Sequence, residues 1–379
     1  MSERKKIILS VLITFIVTSV LCSAIYKPNH YALEDVEAIV KSKYVKEYDK
    51  SKFDEYAALG AVASLGDPYS EYLSAENYDA FIESITGSYH GIGIEVFLND
   101  SNELEISAVI ESTPAEDAGL QDGDVLLKVN DFDITNESYT EAITRIRGTS
   151  GDDSNISLTV RRDGVEMNIS VKRADIVSNT VFTKDIENLK YIRITNFTED
   201  TVGKFDDAVG NIPDSCKGII IDLRNNPGGL LNVVTKIADK LLPEGKIVYT
   251  QTRQGKQKVY NSDKNYIDIP LVIITNGGSA SASEILASAV QDHKRGTLVG
   301  EKTFGKGCVQ EIFRLQNGSA LKLTTEYYYT PKGVCIHGTG VTPDIEVMLP
   351  EELQKASVSK LSYEQDTQLQ KAVEVLTQN

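Results

Sequence analysis

The chain has 379 residues and a formal net charge of −16. That length allows two or three domains with at least one sizeable core. The acidic balance, with no basic cluster beyond the first six residues, argues against nucleic acid as the main partner. Four cysteines without a Cys-x-x-Cys, and no histidine spacing suited to zinc, argue against a disulfide framework and a metal site.

At the N-terminus, Arg4, Lys5 and Lys6 precede an apolar run from Ile7 to Ile25. The run is near the roughly 20 residues that span a bilayer, and the basic residues before it would keep the N-terminus inside. Residues 1–27 are therefore expected to be a signal anchor in a single-pass cell-membrane protein, with the bulk of the chain on the extracytoplasmic side. A cleaved signal peptide, and hence secretion, is the alternative. Residues 28–86 read as a helical arm. Leu33, Val36, Ile39 and Val40 have helical spacing within Ala32–Val45. Phe53–Leu65 is a second apolar run, stopped by Gly66-Asp67-Pro68-Tyr69-Ser70, and Ala75–Ile85 a third. The dense tyrosines point to packing and interface roles.

Residues 87–175 are β-rich. Gly91-Ile92-Gly93-Ile94 is a glycine-flanked loop entering a strand. Pro114 suits a first helical turn and Gly119 its stop. Tyr139–Ile146 is a further helix, and Ile156–Val160 and Met167–Val171 alternate as strands around Arg162-Asp163-Gly164. The Gly-Ile-Gly-Ile loop, together with Thr113-Pro-Ala…Ala-Gly-Leu120…Gly123-Asp124…Val129-Asn130, resembles a PDZ domain. In such a module successive backbone N–H groups cradle a terminal carboxylate, and a strand edge accepts an extended peptide. Gly91, Ile92, Gly93 and Ile94 are the expected peptide-binding residues. Arg147 is ordinarily a surface charge; its other reading is a gating contact between this module and the α/β part of the chain.

From residue 176 to 350 strands alternate with helices, which implies an α/β core with a mixed, largely parallel sheet and the PDZ-like module inserted before it. Leu189–Ile194, Gly218–Leu223, Lys246–Gln251, Leu271–Thr275, Thr297–Val299 and Leu321–Tyr329 are the strands; Thr198–Val209 and a run from Leu231 to Leu241 are helices. Residues 351–379 read as an acidic helical tail. In such folds ligands sit where strands end and helices begin. Pro227-Gly228-Gly229 and Gly277–Ser281 both fall there.

The second of these turns carries the candidate chemistry. Ser281 sits between an apolar strand and an apolar-faced helix, where backbone N–H groups can receive an anion. A serine nucleophile needs a base. His30 lies near the membrane segment, His90 in the PDZ-like loop, His293 at a helix end and His337 in a glycine-rich loop. Lysine is the alternative, provided desolvation keeps it neutral. Lys306 lies between Gly305 and Gly307, with Phe304 and Val309 as apolar cover and the amide of Gln310 four residues on.

Ser-Ala-Ser281-Ala-Ser-Glu, Gln291-Asp292 and Thr303-Phe-Gly-Lys306-Gly-Cys-Val-Gln310 together resemble the carboxyl-terminal processing (tail-specific) peptidases, down to the 25-residue separation of Ser281 and Lys306. Gly-Asp-Pro-Tyr-Ser, the PDZ module and Arg224-Asn-Asn-Pro-Gly-Gly fall in the family's order over residues 30–350. Cys308 and the acidic loop Thr149–Asp153 depart from the usual pattern. The resemblance implies a serine endopeptidase with Ser281 as nucleophile, Lys306 as general base and Gln310 as its orienting partner. It also implies an oxyanion hole from Ala282 and one of Gly228 and Gly229, no metal or organic cofactor, polypeptide substrates with accessible C-termini, and a homodimer. The opposing reading is a catalytically silent PDZ scaffold that binds protein C-termini at the membrane.

Overall fold

The computed structural model describes residues 32–99, 101–110, 113–135, 138–148, 151–177, 179–354, 356 and 358–378, with Thr14 and Thr18 before them. The expected anchor over 7–25 lies outside the described residues except for those two threonines. Among the described residues no helix is long and apolar enough to cross a membrane. The longest has 14 residues, about 21 Å at 1.5 Å per residue, against roughly 30 Å of hydrocarbon. The single-pass membrane localisation is corrected on that finding, and the expected membrane partner goes with it.

The chain divides into two compact units, one ending at Tyr72 and the other beginning at Leu73. The first holds α1 (Ala32–Lys43) and α2 (Lys50–Ala63). Asp49 caps α2 by accepting the N–H groups of Ser51 and Lys52. Neither helix buries a residue, and Leu33, Val36, Ile39, Tyr56 and Leu59 stay exposed.

The second unit opens with α3 (Ala75–Thr86), stopped by Gly87 in the left-handed conformation. Ser88–Gly91 then pairs with Ala174–Val177, a two-stranded neck that closes off the β-rich module between them. That module contains β1 (Ile94–Leu98), β2 (Leu104–Val109), β3 (Val125–Val129), α4 (Tyr139–Arg147), β4 (Asn155–Arg162) and β5 (Val165–Lys172), with the sheet in the order β1–β2–β3–β4–β5. Alternating residues such as Ile156, Leu158 and Val160 face its own core with Ala142 and Ile146 of α4.

The α/β part follows: β6 (Val181–Ile186), β7 (Leu189–Ile194), α5 (Thr201–Gly210), β8 (Gly218–Asp222), α6 (Leu231–Leu241), β9 (Gly245–Thr252), β10 (Gln257–Ser262), β11 (Leu271–Thr275), α7 (Ala282–Asp292), β12 (Thr297–Gly300), β13 (Cys308–Arg314), β14 (Ala320–Tyr329), β15 (Ile345–Glu346) and α8 (Thr367–Thr377). The main sheet runs β6–β7–β8–β11–β12–β15, parallel except for the β6–β7 hairpin. Its central strands Gly-Ile-Ile-Ile-Asp and Leu-Val-Ile-Ile-Thr are buried throughout, as strands covered on both faces must be. Ile219, Ile221 and Ile273 pack under α5, α6 and α7; Ile220, Val272 and Ile274 face α8. A second, antiparallel sheet joins β10, β9, β14 and β13.

The tail, read as helical over 351–379, forms its α-helix only at Thr367–Thr377. Short 3₁₀ turns at Glu351–Leu353 and Val358–Lys360 precede α8, which starts only where Asp366 caps it by accepting the Leu369 N–H. Asp366 has a second task. Its carboxylate accepts both terminal nitrogens of the fully buried Arg224 at 2.8 Å each. Arg224 also holds Asp222, and Gln368 Oε1 accepts from it. Burial alone would raise the Asp222 pKa, but the Arg224 charge and hydrogen bonds hold it below the usual carboxylate range. The tail thus braces the residue that leads into Asn225-Asn226-Pro227-Gly228-Gly229.

Candidate active site

The adjacent parallel strands β8 and β11 end at the two turns that carry the candidate residues. The turns are stitched together. Asn276 Oδ1 accepts the Asn225 N–H, and its Nδ2 donates to Asn225 Oδ1. Ser279 Oγ donates to the Leu223 carbonyl at 2.8 Å, and Ser283 Oγ to the Asn226 carbonyl at 3.0 Å. Both of these serines are fully buried. Ser281 between them is partly exposed at the start of α7, with φ 54° and ψ −113°. Positive φ is costly for a non-glycine residue, about 1–3 kcal/mol. A sharp strand-to-helix elbow of this kind thrusts a side chain into a cleft.

Ser281 and Lys306 meet through Glu284. Its Oε2 accepts the backbone N–H of Ser281 and that of Lys306, each at 2.8 Å. Its Oε1 accepts the Gly305 N–H at 2.7 Å and the Thr303 hydroxyl at 2.5 Å. The carboxylate is fully buried, and four donors offset the cost of burying it. The spacing Ser281-Ala-Ser-Glu284 is that of a capping box, the signal that points to this residue in the sequence. Tyr328 is a second tie, and nothing in the run Tyr327-Tyr328-Tyr329 singles it out. Its hydroxyl donates to the Ser281 carbonyl at 3.0 Å and is also in hydrogen-bond contact with the Lys306 carbonyl. Burial, then the nearby Glu284 charge, pushes its pKa well up, so the phenol keeps its proton. Glu284→Ala would orphan several buried donors at about 1–3 kcal/mol each. We expect it to lower unfolding free energy by about 3 kcal/mol or more, read from urea denaturation.

Gly228 stands directly against the elbow. A Cβ there would lie 2.8 Å from Ser281 Cβ and 3.0 Å from the Ala282 nitrogen, and its φ is +111°. Any larger residue would fill the space in front of Ser281. The Gly228 N–H is already given to Asn226 Oδ1 at 2.9 Å. Gly229 lies alongside Phe197, whose N–H donates to the Gly228 carbonyl and whose carbonyl accepts from Leu230. That pattern leaves the Gly229 N–H out of the pairing. The Ala282 N–H, in the first turn of α7, precedes the intrahelical bonds.

Gln310 lies in β13 just after a bulge between Val309 and Gln310. Its amide donates to Cys308 Sγ at 3.1 Å and, more weakly, to the Cys308 carbonyl at 3.4 Å. Of the histidines, His293 closes the far end of α7 and contacts the Lys246 carbonyl through Nε2. The 11-residue helix between them puts it about 18 Å from Ser281 along the axis. His90 is held by Asp175 and the Asp152 carbonyl. His337 packs its backbone against Gly307 and its ring against Tyr327.

The Gly-Ile-Gly-Ile stretch lines a groove of about 430 Å³ with Ile143, Ile146 and Arg147 of α4. Gly93 has φ +92°, and Thr113 sits where a Cβ would be, 2.3 Å away, so glycine is required there. A second hollow of about 410 Å³ shares Tyr89, Glu95 and Arg147 with the groove and reaches Asn196, whose Oδ1 packs against Gly229. Arg147, 3.6 Å from Glu83, stands at their junction.

Residues 188–347 match the profile of peptidase family S41, and residues 82–161 that of the PDZ domain. A carboxy-terminal-processing protease of Bartonella bacilliformis is 38% identical over 338 residues, 86% of this chain and 77% of its own length. A carboxyl-terminal-processing protease of Synechocystis is 35% identical, over 89% of this chain and 81% of its own length. Among solved structures, a photosystem II D1 C-terminal processing protease is 29% identical, with a TM-score of 0.53 over 82% of this chain and 86% of that one. A putative S41 protease from Bacteroides fragilis shares the fold at 16% identity, with a TM-score of 0.57 over 93% of this chain and 98% of that one.

Proposed function

Since this chain belongs to peptidase family S41 and is a serine protease of the carboxy-terminal-processing kind with a PDZ domain, we propose that it captures the C-terminus of an extended polypeptide and cleaves the chain by a Ser281–Lys306 mechanism. The observation that carries the proposal is the Glu284 carboxylate, whose single oxygen takes the backbone N–H of both residues. In this reading neutral Lys306 removes the proton from Ser281 Oγ as that oxygen attacks the scissile carbonyl. The oxyanion forms facing the N–H groups of Ala282 and Gly229; Gly228 supplies clearance rather than a donor, since its N–H is spent on Asn226. Loss of one such donor typically costs about 3–4 kcal/mol of transition-state stabilisation. The lysine ammonium then protonates the leaving amine. It takes a proton from the water that attacks the acyl ester, and returns that proton to Ser281 as the acid product leaves. Gln310 orients the amine once its amide turns from Cys308.

The PDZ groove supplies binding. Backbone N–H groups of Ile92, Gly93 and Ile94 would take the terminal carboxylate, with Gly91 keeping the entrance open beside Tyr89 and Arg147. Arg147 acts as a gate at the junction of groove and hollow, where Glu83 holds it. Self-association belongs to the same reading, supported by the exposed apolar side chains of α1 and α2.

A free C-terminus is the discriminating feature of the substrate. Amidating the C-terminus of an unstructured test polypeptide removes the charge-assisted bonds, about 1.5–3 kcal/mol. We expect kcat/KM to fall roughly 10- to 100-fold, mainly through KM. Equal cleavage of the acid and the amide would exclude C-terminal capture.

A further inference from the structure

A cavity of about 990 Å³ lies between the PDZ module and the α/β core, beside the groove already described. One wall is the outer end of the main sheet. Cross-strand pairing sets Phe182 opposite Arg193 and Lys184 opposite Tyr191. Such partners share a face, so two cations and two aromatic rings stand together on it. The opposite face of the same hairpin, with Val181, Ile192 and Ile194, is core. Lys204 of α5 adds a third cation to the cavity.

The carboxylates that face the cavity are Glu95 on the PDZ side and Asp366, and Asp366 is held by Arg224. A local cationic excess in a chain of net charge −16 is a feature to be explained. Arg193 Nε is buried without a hydrogen-bond partner among the described residues. A buried donor in that state is costly unless something accepts from it. Phe182 and Val177 are 45% and 50% exposed. In addition, β6 is the edge strand of its sheet, so one side of its backbone is open to a further strand.

We propose that this cavity binds an acidic stretch of the polypeptide substrate, extended along β6, with its carboxylates on Arg193, Lys184 and Lys204. A polypeptide fits better than a small anion because cations, exposed apolar side chains and an open strand edge occur together. The cavity also shares Glu95 and Ile110 with the PDZ groove. This deepens the proposed function by naming a substrate class, and it rests on that reading for the occupant.

The test measures binding, so the cleavage chemistry does not enter it. Three labelled peptides share one apolar C-terminal sequence and differ in the preceding segment: rich in Asp and Glu, in Ser and Asn, or in Lys and Arg. Fluorescence anisotropy with the full-chain Ser281→Ala protein should show the acidic peptide bound about 10-fold tighter than the neutral one at low salt. The advantage should shrink at high salt. An Arg193→Gln, Lys184→Gln double variant should erase the advantage and leave the neutral peptide's affinity unchanged. Arg193→Lys, which keeps the charge, should retain most of the preference and guards against misfolding as the cause. Equal affinity for acidic and neutral peptides, an acidic preference that survives the double variant, or no binding of any peptide would overturn the proposal. Tight binding of the acidic peptide that does not depend on a free C-terminus would instead sustain the cavity and count against C-terminal capture.

Discussion

Ser281→Ala should reduce kcat/KM for an unstructured polypeptide by about 10⁵-fold or more, the scale on which removal of a serine nucleophile acts. Three serines lie within five residues, and their hydroxyls have different fates. Ser279 and Ser283 spend theirs on the Leu223 and Asn226 carbonyls inside the framework. Ser281 alone of the three is partly exposed, at a strained elbow with Gly228 in front of it. Ser281→Ala keeps the backbone bond to Glu284 and should fold normally. Ser279→Ala should instead cost about 1 kcal/mol of stability and leave cleavage within a few-fold of wild type. A time course of substrate loss, with a urea melt of each variant, separates the two effects. A catalytically silent scaffold predicts no difference, because wild type itself would not cleave.

Lys306→Ala is the second large effect, with an expected loss of about 10⁴-fold or more in kcat at little change in KM. The proposed preference for lysine over histidine rests on position. His293 is fixed at the far end of α7, its ring turned to Lys246. His90 is committed within the neck of the PDZ module to Asp175 and Asp152. His337 comes nearer, through its backbone contact with Gly307, so His337→Ala is the informative control. It should keep activity within about 10-fold, since its loss removes packing on Tyr327 rather than a proton acceptor. The reverse outcome, an active Lys306→Ala and an inactive His337→Ala, would make the enzyme a Ser–His hydrolase.

Much of this architecture is legible in the chain because apolar patterning and turn chemistry agree. Gly218–Asp222 and Leu271–Thr275 are apolar runs closed by glycine-rich turns, and they became the central strands that aim both turns at one point. Three features were hidden. Gln257–Ser262 is a strand, yet it reads as polar because it sits at a sheet edge, where only Tyr260 and Ser262 turn inward. The tail reads as helical without a marked start, and Pro350 and the short 3₁₀ turns delay α8 until Asp366, whose ties to Arg224 cross more than a hundred residues. The third is Tyr328, whose hydroxyl touches the carbonyls of Ser281 and Lys306, and no local pattern states that; Glu284, by contrast, is legible through its capping-box spacing from Ser281. The bond from the Gly228 N–H to the Asn226 side chain is of the same kind as the Tyr328 ties, a contact that no local pattern states. The apolar run at the N-terminus shows the converse limit, because the expected membrane span rested on its length and flanking charges alone, and no described helix supplies one.

The most direct test of a Ser281–Lys306 enzyme is to trap its acyl intermediate. An activated peptide ester is mixed with the full chain, quenched in acid within one turnover, and the protein is digested for mass spectrometry. The acyl group should appear on Ser281, within the segment 276–292, in wild type and in His337→Ala, and be lost in Lys306→Ala. An acyl group on another residue, or one that forms at the wild-type rate in Lys306→Ala, would contradict the account.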